Sequence, residues 1–496
     1  MAPNSLSKSG LILAAVAVSL ATFLIVLDYS IANVSIPYIS GDLASSVDQG
    51  TYVITSFAIG TAIILPTCGW LTKRLGMIRL MLWSLAGFTL FSLICGLSRS
   101  LTMLVVSRFL QGALAGPLIP ISQSLMVRIF PEEKRTAALS FWSTVVVIAP
   151  VAGPILGGWI CYNYTWPWIF YINIPTGLFC IFVIRALLKE FETPTEKKGI
   201  DWVGFILLAL ATSALQFTLD KGEQYDWLGS KLIQFTVGIA SVCFFLLFFW
   251  ELDSKNPLIE LKLLKIRSYA LSILFIAVSY AIYFGSVVLI PLWLQQYMGY
   301  TSVWAGLVVA PIGIIPSLFS TAVGKWVKKI PAPFLLGVSF LLFAVSSFST
   351  CYFNTEVDIW HIGLSRFLLG GALLFFIVPL FALCMQDLPL DKQPSALGFF
   401  HYVRAMLGAI GTSIFTTLWI RRSAFYHSNL AASFQRQPLW TDNLAITNQA
   451  IDQQASVLAL NDCFYLMGWI FLGLIFFLLF AKVKKVGAET VVAHGE

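Results

Sequence analysis

Charge is scarce in this sequence. Only 11% of its 496 residues are Asp, Glu, Lys or Arg, whereas a typical soluble protein carries roughly 25%. Hydrophobic residues account for 58% of the chain. Because so few charges cannot cover several water-soluble domains with a polar surface, the composition predicts a polytopic membrane protein.

Common enzyme motifs are missing as well. The chain has no phosphate-binding GxxxxGK[ST] loop, no GxSxG and no HExxH. Its four histidines are far apart and its eight cysteines include no CxxC pair, so we expect free thiols and no metal site. The net charge of +7 is divided among small basic groups between apolar runs, unlike a nucleic-acid-binding patch. We therefore expect a protein that is not an enzyme, binds no nucleic acid and uses no cofactor other than an ion gradient.

Long uncharged runs predict the membrane spans. A stretch of about 18 or more residues without a charge is a candidate transmembrane helix. Seven runs meet this criterion, three more contain one arginine each, and two longer runs, 136–184 and 268–324, each divide into two spans at a polar and aromatic cluster. The sum predicts an all-α fold of fourteen transmembrane helices, with both termini on one side.

The basic residues predict the orientation. Of the 31 lysines and arginines, 22 fall on the side of the two termini, six on the other side and three inside spans. Since cytoplasmic loops are enriched in basic residues, both termini are predicted to be cytoplasmic. The longest outer segment, about 421–462, is polar and is predicted to be a long periplasmic loop.

The chain contains an internal repeat. SRFLQG begins at Ser107 and SRFLLGG at Ser365, an offset of 258, while Pro37 and Pro291 are separated by 254. A weaker match follows the second and tenth spans. The repeat predicts a 6+2+6 organisation: a six-helix bundle over 1–190, two additional helices with their linkers over 191–268, and a second six-helix bundle over 269–496. Paired halves with a site between them are typical of transporters.

Asp28 is the one acidic residue that we place inside a span. Low dielectric favours the neutral form of a carboxyl, so such a group can be charged in one conformation and neutral in another, which couples a proton to a substrate. Proton coupling or substrate contact is the favoured interpretation. The alternative is that the first helix ends at Leu27 and that Asp28 lies in the outer interface.

Arg108 is predicted to lie at the depth of Asp28, roughly 10–13 Å below the outer ends of their helices. Gln111 is three residues further on and shares the helix face of Arg108. We therefore predict that these three side chains converge in a proton-coupling and substrate site, with a permanent structural ion pair as the alternative. Arg366, at the equivalent position of the repeat, has no obvious acidic partner, and structural packing is favoured there.

Further candidates for the substrate pathway lie in the second half. Arg404 is an unpaired cation in the inner half of the thirteenth span, where a gate or substrate role is as plausible as a structural one. His401, one turn below it, is expected to be interfacial. Tyr280 and Tyr283 can present aromatic faces to a cation or a flat ring, although packing against the core or lipid is the more frequent use of such residues.

The fifth span contains the sequence APVAGPILGG. Prolines remove backbone hydrogen bonds and glycines allow close helix approach. A bending or sealing element is favoured over generic helix packing. The residues concerned are Pro150, Gly153, Pro154, Gly157 and Gly158.

Together, LDYSIANVSIP, GWLTKRLG, SRFLQG and APVAGPILGG resemble the major facilitator superfamily, in particular its fourteen-helix drug:proton antiporters. The resemblance implies that Asp28 is the acidic residue of the first-helix motif, that Arg108 is the arginine of the fourth-span motif, and that 153–158 is the antiporter signature. It also implies a conformational role for the turn that contains Gly69, Arg74 and Gly76. In that turn Lys73 replaces the usual aspartate, which puts the usual acid-based latch in doubt.

The resemblance further implies proton-coupled efflux of lipophilic drugs or detergents by alternating access, in the bacterial inner membrane. Relatives of this kind pass substrate to a periplasmic adaptor and an outer-membrane channel, for which 421–462 is a plausible docking surface. One alternative is an exporter dedicated to an endogenous metabolite such as a siderophore or a fatty acid. Another is a sensor or assembly factor that keeps a transporter fold without transporting.

Overall fold

The computed structural model describes residues 7–196, 199–254, 257–327, 329–389, 392–434 and 444–480. Within these ranges the ordered backbone is α-helical, with short 3₁₀ segments and no strand. The α-helices are α1 (Lys8–Asp42), α2 (Val47–Gly50), α3 (Tyr52–Ile64), α4 (Cys68–Leu75), α5 (Met77–Gly96), α6 (Leu101–Ala115), α7 (Leu118–Ile129), α8 (Glu132–Asn163), α9 (Trp168–Tyr171), α10 (Asn173–Leu188), α11 (Trp202–Lys221), α12 (Lys231–Asp253), α13 (Arg267–Gln296), α14 (Ser302–Val309), α15 (Ile314–Trp326), α16 (Ala332–Thr350), α17 (Ile359–Met385), α18 (Gln393–Phe434) and α19 (Leu444–Phe477).

Twelve helical segments in the described ranges are long and apolar enough to cross a membrane, and the bent helix α8 makes a thirteenth. The chain is therefore a multi-pass membrane protein. Helices α14 and α15, joined by a 3₁₀ turn, occupy the position of the predicted tenth span. The predicted total of fourteen is not confirmed, because only the shorter apolar helix Trp304–Pro316 is recognised there.

Prolines explain several interruptions within these spans. Pro66 lies in the 3₁₀ turn between α3 and α4, Pro117 lies between α6 and α7, and Pro311 lies in the turn between α14 and α15. Each proline lacks the backbone N–H that would continue the helical hydrogen bonds. The spans therefore bend or change to 3₁₀ geometry at these points.

The helices pack in two groups, with a pair beside them. In the first group α1 packs against α8 and α10, and α3 packs against α6; in the second, α13 packs against α18, and α16 against α17 and α19. Helices α11 and α12 pack against each other, and α11 also contacts α3 and α18. Helix α11 thus touches both groups.

The predicted outer loop at 421–462 is helical in its described parts. Helix α18 continues to Phe434 and α19 begins at Leu444; residues 435–443 lie outside the described residues. The 42 residues of α18 correspond to about 63 Å, twice the hydrocarbon thickness of a bilayer. Arg422 pairs with Asp462, and the Tyr426 hydroxyl donates to the same carboxylate at 2.9 Å. The polar composition that suggested a loop belongs to a helical extension of the last two spans.

The two groups contact each other through α8 and α15, and through α4 and α18 near one end of the bundle. We call this end the basic end; it contains the α4–α5 turn and the starts of α8 and α18. A Cβ on Gly69 would lie 2.5 Å from the Ser395 Cβ, so only glycine permits this approach of α4 to α18. A second close contact involves Leu65, four residues before Gly69. Its carbonyl oxygen lies 2.5 Å from the position that a Cβ on Gly398 of α18 would take. These close contacts hold the basic end closed between the groups.

Candidate functional site

Asp28 lies in the middle of α1. The helix continues without a break to Asp42, even past Pro37, so the alternative that it ends at Leu27 is wrong. The Asp28 side chain has 0% exposure. An ionisable group this deep in a helix bundle needs a partner, because a buried unpaired charge is strongly unfavourable.

Arg108 is that partner. Its Nη1 atom donates to Asp28 Oδ2, and its side chain is also fully buried. Nη1 also donates to Gln111 Oε1 at 2.7 Å, while Nε donates to the Val53 carbonyl at 3.2 Å. The guanidinium carbon lies 4.2 Å from the centroid of the Phe57 ring. The predicted convergence of the carboxylate, guanidinium and amide is confirmed as geometry; their functional roles stay predictions.

The other oxygen of Asp28 has two amide donors. Asn173 Nδ2 donates to Oδ1 at 2.7 Å, and Gln111 Nε2 approaches the same oxygen at 3.4 Å. Gln111 Nε2 also donates to Ser92 Oγ at 2.7 Å. The site therefore joins α1, α5, α6 and α10. Asn173 and Ser92 were not predicted as site residues; the available signal was the asparagine in the apolar sequence FYINIPTG.

The charges of this cluster offset one another. In the charged form, attraction between Asp28 and Arg108 offsets the removal of both charges from water. Gln111 and the Val53 carbonyl also hold Arg108 in place. Its Nη2 atom is buried without a hydrogen-bond partner. The ion pair and its hydrogen bonds therefore connect four helices in one buried cluster.

Arg366 is also fully buried, on α17. Its Nη2 atom donates to Thr350 Oγ1 and to Ser365 Oγ, both at 3.0 Å, and its guanidinium carbon lies 5.3 Å from the Phe464 ring centroid. Nε and Nη1 have no hydrogen-bond partner. None of these contacts is to an acid, consistent with the expectation from the sequence.

Arg404 lies over an aromatic ring. Its guanidinium carbon is 5.2 Å from the Tyr280 ring centroid, and its Nε is buried without a hydrogen-bond partner. Tyr280 in turn contacts Tyr283, with 5.8 Å between ring centroids. The structure thus brings together these three predicted substrate-pathway residues. Gln111, the fourth, lies instead in the Asp28 cluster.

His401 is not interfacial as predicted. It is 1% exposed, and its Nε2 lies 2.7 Å from Gln123 Oε1 on α7. This contact connects the two helix groups towards the basic end. The prediction failed because α4 and α7 cover the start of α18. The sequence of α18 alone does not show which helices pack against it.

Helix α8 bends by 44° between its segments Ala137–Pro150 and Ile155–Asn163. Pro154 lies between the two segments, and the Pro150 carbonyl accepts a hydrogen bond from Ser30 at 3.0 Å. A Cβ on Gly153 would lie 2.5 Å from Ser30 Oγ. A Cβ on Gly157 would lie 2.9 Å from Ile31, whereas one on Gly158 would meet nothing within 4 Å. The predicted bend is therefore present, and Gly153 and Gly157 fit it closely against α1.

Gly69 in α4 and Gly76 in the turn before α5 each lie where a side chain would clash. Gly69 allows the approach to Ser395 described above. Gly76 has φ +87°, and a Cβ there would lie 2.5 Å from a Glu192 carboxylate oxygen. The same carboxylate accepts the N–H groups of the first turn of α5, both at 3.0 Å. Arg74 is exposed.

Comparison with known proteins agrees with this fold. The model of the Major Facilitator Superfamily matches residues 18–412. Multidrug export protein EmrB of Escherichia coli (strain K12) is 40% identical over 495 residues, which is 96% of this chain and 96% of that protein. Fatty acid resistance protein FarB of Neisseria gonorrhoeae is 38% identical over 479 residues, covering 93% and 94%.

A solved structure shows the same architecture. The crystal structure of a double Trp XylE mutant matches with a TM-score of 0.62 at 12% identity, and the match covers 97% of each chain. At this identity the likeness concerns the fold alone. The family match covers most of the sequence, and the match to EmrB covers nearly all of it. This chain therefore belongs to the major facilitator superfamily.

Proposed function

We propose that this protein exports lipophilic drugs, detergents or related toxic compounds in exchange for protons, by alternating access of its two helix groups. Membership of a transporter superfamily supports transport, and 40% identity to a multidrug export protein along the whole chain supports drugs as substrates. The single observation that carries the coupling mechanism is the buried Asp28–Arg108 pair, which makes the first helix group sensitive to one proton.

The proposed cycle uses the network around Asp28. A proton that enters from the outer side neutralises the carboxylate and releases Arg108, and the contacts of α1 with α6 and α10 weaken. The first group then moves against the second and exposes the site to the cytoplasm, where Asp28 loses its proton. Substrate moves in the opposite direction, past the Arg404, Tyr280 and Tyr283 cluster.

The energies are compatible with this cycle. Breaking a buried ion pair by removing one charge costs about 3–5 kcal/mol. One proton that crosses 100 mV releases about 2.3 kcal/mol, and each pH unit adds about 1.4 kcal/mol. The proton gradient therefore supplies free energy of the size needed to open the pair.

For the topology we propose fourteen spans in a 6+2+6 arrangement, in the bacterial inner membrane, with both termini and the basic end in the cytoplasm. The two bundles would comprise 1–190 and 269–496, with 191–268 as the additional pair and its linkers. The distribution of basic residues supports this orientation. The conformation described above is then the one closed on the cytoplasmic side.

We also propose that the chain passes its substrate to a periplasmic adaptor and an outer-membrane channel. In this orientation the extension of α18 and α19 beyond the membrane stands in the periplasm. Its two helices are joined by the Arg422–Asp462 pair and by a 3.2 Å contact between His427 Nε2 and Asn448 Oδ1. This extension of the two helices is the proposed docking surface.

The experiment that tests the function is uptake by inside-out vesicles with an imposed proton gradient. A panel of lipophilic cations, anions and neutral compounds is offered to vesicles with and without the protein, before and after an uncoupler. We expect uncoupler-sensitive accumulation of several unrelated compounds. Absence of any uptake would contradict transport and leave the sensor or assembly interpretation.

A second candidate is an exporter dedicated to one anionic metabolite such as a siderophore or a fatty acid. Buried guanidinium nitrogens without hydrogen-bond partners on Arg366 and Arg404 favour it, and so does the similarity to a fatty acid resistance protein. Uptake of a single anion from the panel, with no uptake of cations or neutral compounds, would favour this candidate over the first.

A further inference from the structure

One carboxylate at the basic end contacts a lysine from each helix group. Glu260 Oε1 lies 3.3 Å from Lys73 Nζ, and Glu260 Oε2 lies 2.6 Å from Lys392 Nζ. The side chains are partly buried, with 30% exposure for Lys73, 18% for Glu260 and 34% for Lys392. Lys73 is in the last turn of α4, and Lys392 directly precedes α18. Glu260 thus links the two groups without belonging to a helix of either.

The segment that carries Glu260 is held firmly. It connects α12 to α13, and its neighbours Leu258 and Ile259 are 2% and 5% exposed. The Ile259 N–H donates to Glu251 Oε2 on α12 at 3.1 Å. These contacts fix the backbone next to Glu260, so that its carboxylate has a defined position between the lysines.

The bridge flanks a close approach of the two groups. Lys73 follows Gly69 by one helical turn, and Lys392 precedes Ser395 by three residues; Gly69 and Ser395 are the residues that touch. Without the carboxylate, two ammonium groups would face each other across this contact and repel. Glu260 therefore converts a repulsive arrangement into an attractive one.

We propose that Glu260 is the latch of the cytoplasmic gate: it holds α4 and α18 together in the closed form and must release one lysine when the gate opens. This inference rests on the alternating access proposed above. It also accounts for Lys73, which replaces an acidic residue in the turn after the second span. The acid of the latch comes instead from the linker ahead of the second bundle.

The native thiol of Cys68 reports on this gate. Cys68 is 0% exposed, and its Cβ lies 3.3 Å from the position that a Cβ on Gly398 would take. Separation of α4 from α18 exposes it. The rate of its reaction with a water-soluble maleimide, in the purified full-length protein, therefore measures opening. The Cys68→Ser variant gives the background from the other seven cysteines, all of which are free.

We expect Glu260→Gln to raise the rate of Cys68 labelling roughly three- to tenfold, because two partly buried ion pairs are lost and the lysines repel. Lys392→Gln, which leaves the Lys73–Glu260 pair, raises it about twofold. The triple variant Lys73→Glu, Glu260→Lys, Lys392→Glu restores slow labelling, since all three charges are reversed and both pairs attract each other again. This rescue also excludes a general folding defect as the cause.

Arg79→Gln is the matched control. Arg79 is a cation at the same end whose partner, Glu192, lies in the same helix group, so labelling should stay at the wild-type rate. Unchanged labelling in Glu260→Gln, or fast labelling in the triple variant, would overturn the latch. Labelling needs neither substrate nor gradient, so it tests the latch independently of transport. If the labelling results support the latch but the wild-type protein shows no uptake in vesicles, only the proposed export is contradicted.

Discussion

The two halves of the repeat carry the same buried arginine in different surroundings. Arg108 and Arg366 occupy equivalent positions in SRFL sequences and are both 0% exposed. Arg108 faces Asp28, whereas Arg366 has two hydroxyl acceptors and two nitrogens without partners. The residue at the repeat offset of Asp28 in the second half is Ile282. The first half therefore has a buried ion pair, and the second has a buried guanidinium whose described contacts include no acid.

From this difference we propose separate tasks for the two halves. An ion pair that loses its acid on protonation can respond to the gradient, while a guanidinium without an acid stays charged at any physiological pH. We therefore expect the first half to carry coupling and the second half to attract substrate charge. Each prediction below alters one side of the comparison.

The largest effect is expected from neutralising the two arginines in turn. Arg108→Gln leaves Asp28 as a buried charge without its cation and should lower the free energy of unfolding by about 3–5 kcal/mol. Arg366→Gln removes a charge with no acidic partner and should lower it by less than about 2 kcal/mol. Thermal unfolding in detergent measures both. Equal losses would mean that the two sites do not differ in the way that the contacts indicate.

A smaller effect is expected from the second donor to Asp28. Asn173→Ala removes the 2.7 Å hydrogen bond to Oδ1 and should lower the free energy of unfolding by about 1–3 kcal/mol. Asn33→Ala on the exposed side of α1, where the amide bonds only to Tyr29 of its own helix, is the control and should change it little. A similar loss in both variants would show that Asn173 has no special role in holding the carboxylate.

The smallest effect should come from giving the second half an acid. Thr350 Oγ1 lies 3.0 Å from Arg366 Nη2, so Thr350→Asp places a carboxylate beside the guanidinium. We expect Thr350→Asp to be more stable than the isosteric Thr350→Asn by about 1.5 kcal/mol, since a hydrogen bond between charged groups is the stronger one. The melting temperatures of the two variants give the comparison. A less stable aspartate variant would mean that Arg366 is already compensated.

Part of this site was predictable because the depth of a residue below the end of its span follows from its position in the sequence and the helical rise of about 1.5 Å per residue. The spacing of Asp28 and Arg108 from the outer ends of their helices gives one level in the bilayer, and Gln111 shares the helix face of Arg108. The structure joins all three side chains there. Asn173 was not predictable in the same way, because an apolar helix such as α10 gives no periodic signal for the face that points inward. The same limit applies to His401, whose partner Gln123 is on another helix group.

Most of the span pattern was predictable from runs with little or no charge, since a charge in the bilayer is costly whatever the packing. The helical extension of α18 and α19 was not, because exposed helices and exposed loops share a polar composition. The Glu260 bridge also lay beyond the sequence. It joins residues 187 and 132 positions apart, and a loop acid has no periodicity from which to infer its partner. The one sequence feature that pointed to the bridge was Lys73, which replaces the usual aspartate of the family pattern.

The most direct test of the central claim is proton release from acidified inside-out vesicles when substrate is added. Wild type is compared with Asp28→Asn, and with Asp358→Asn as the control, an acid outside the helix bundle whose side chain is 52% exposed. Coupling at Asp28 predicts that several unrelated lipophilic compounds dissipate the gradient in wild type and in Asp358→Asn, and that none does so in folded Asp28→Asn. If Asp28→Asn dissipates the gradient as fast as wild type, the pair with Arg108 is structural and coupling lies elsewhere.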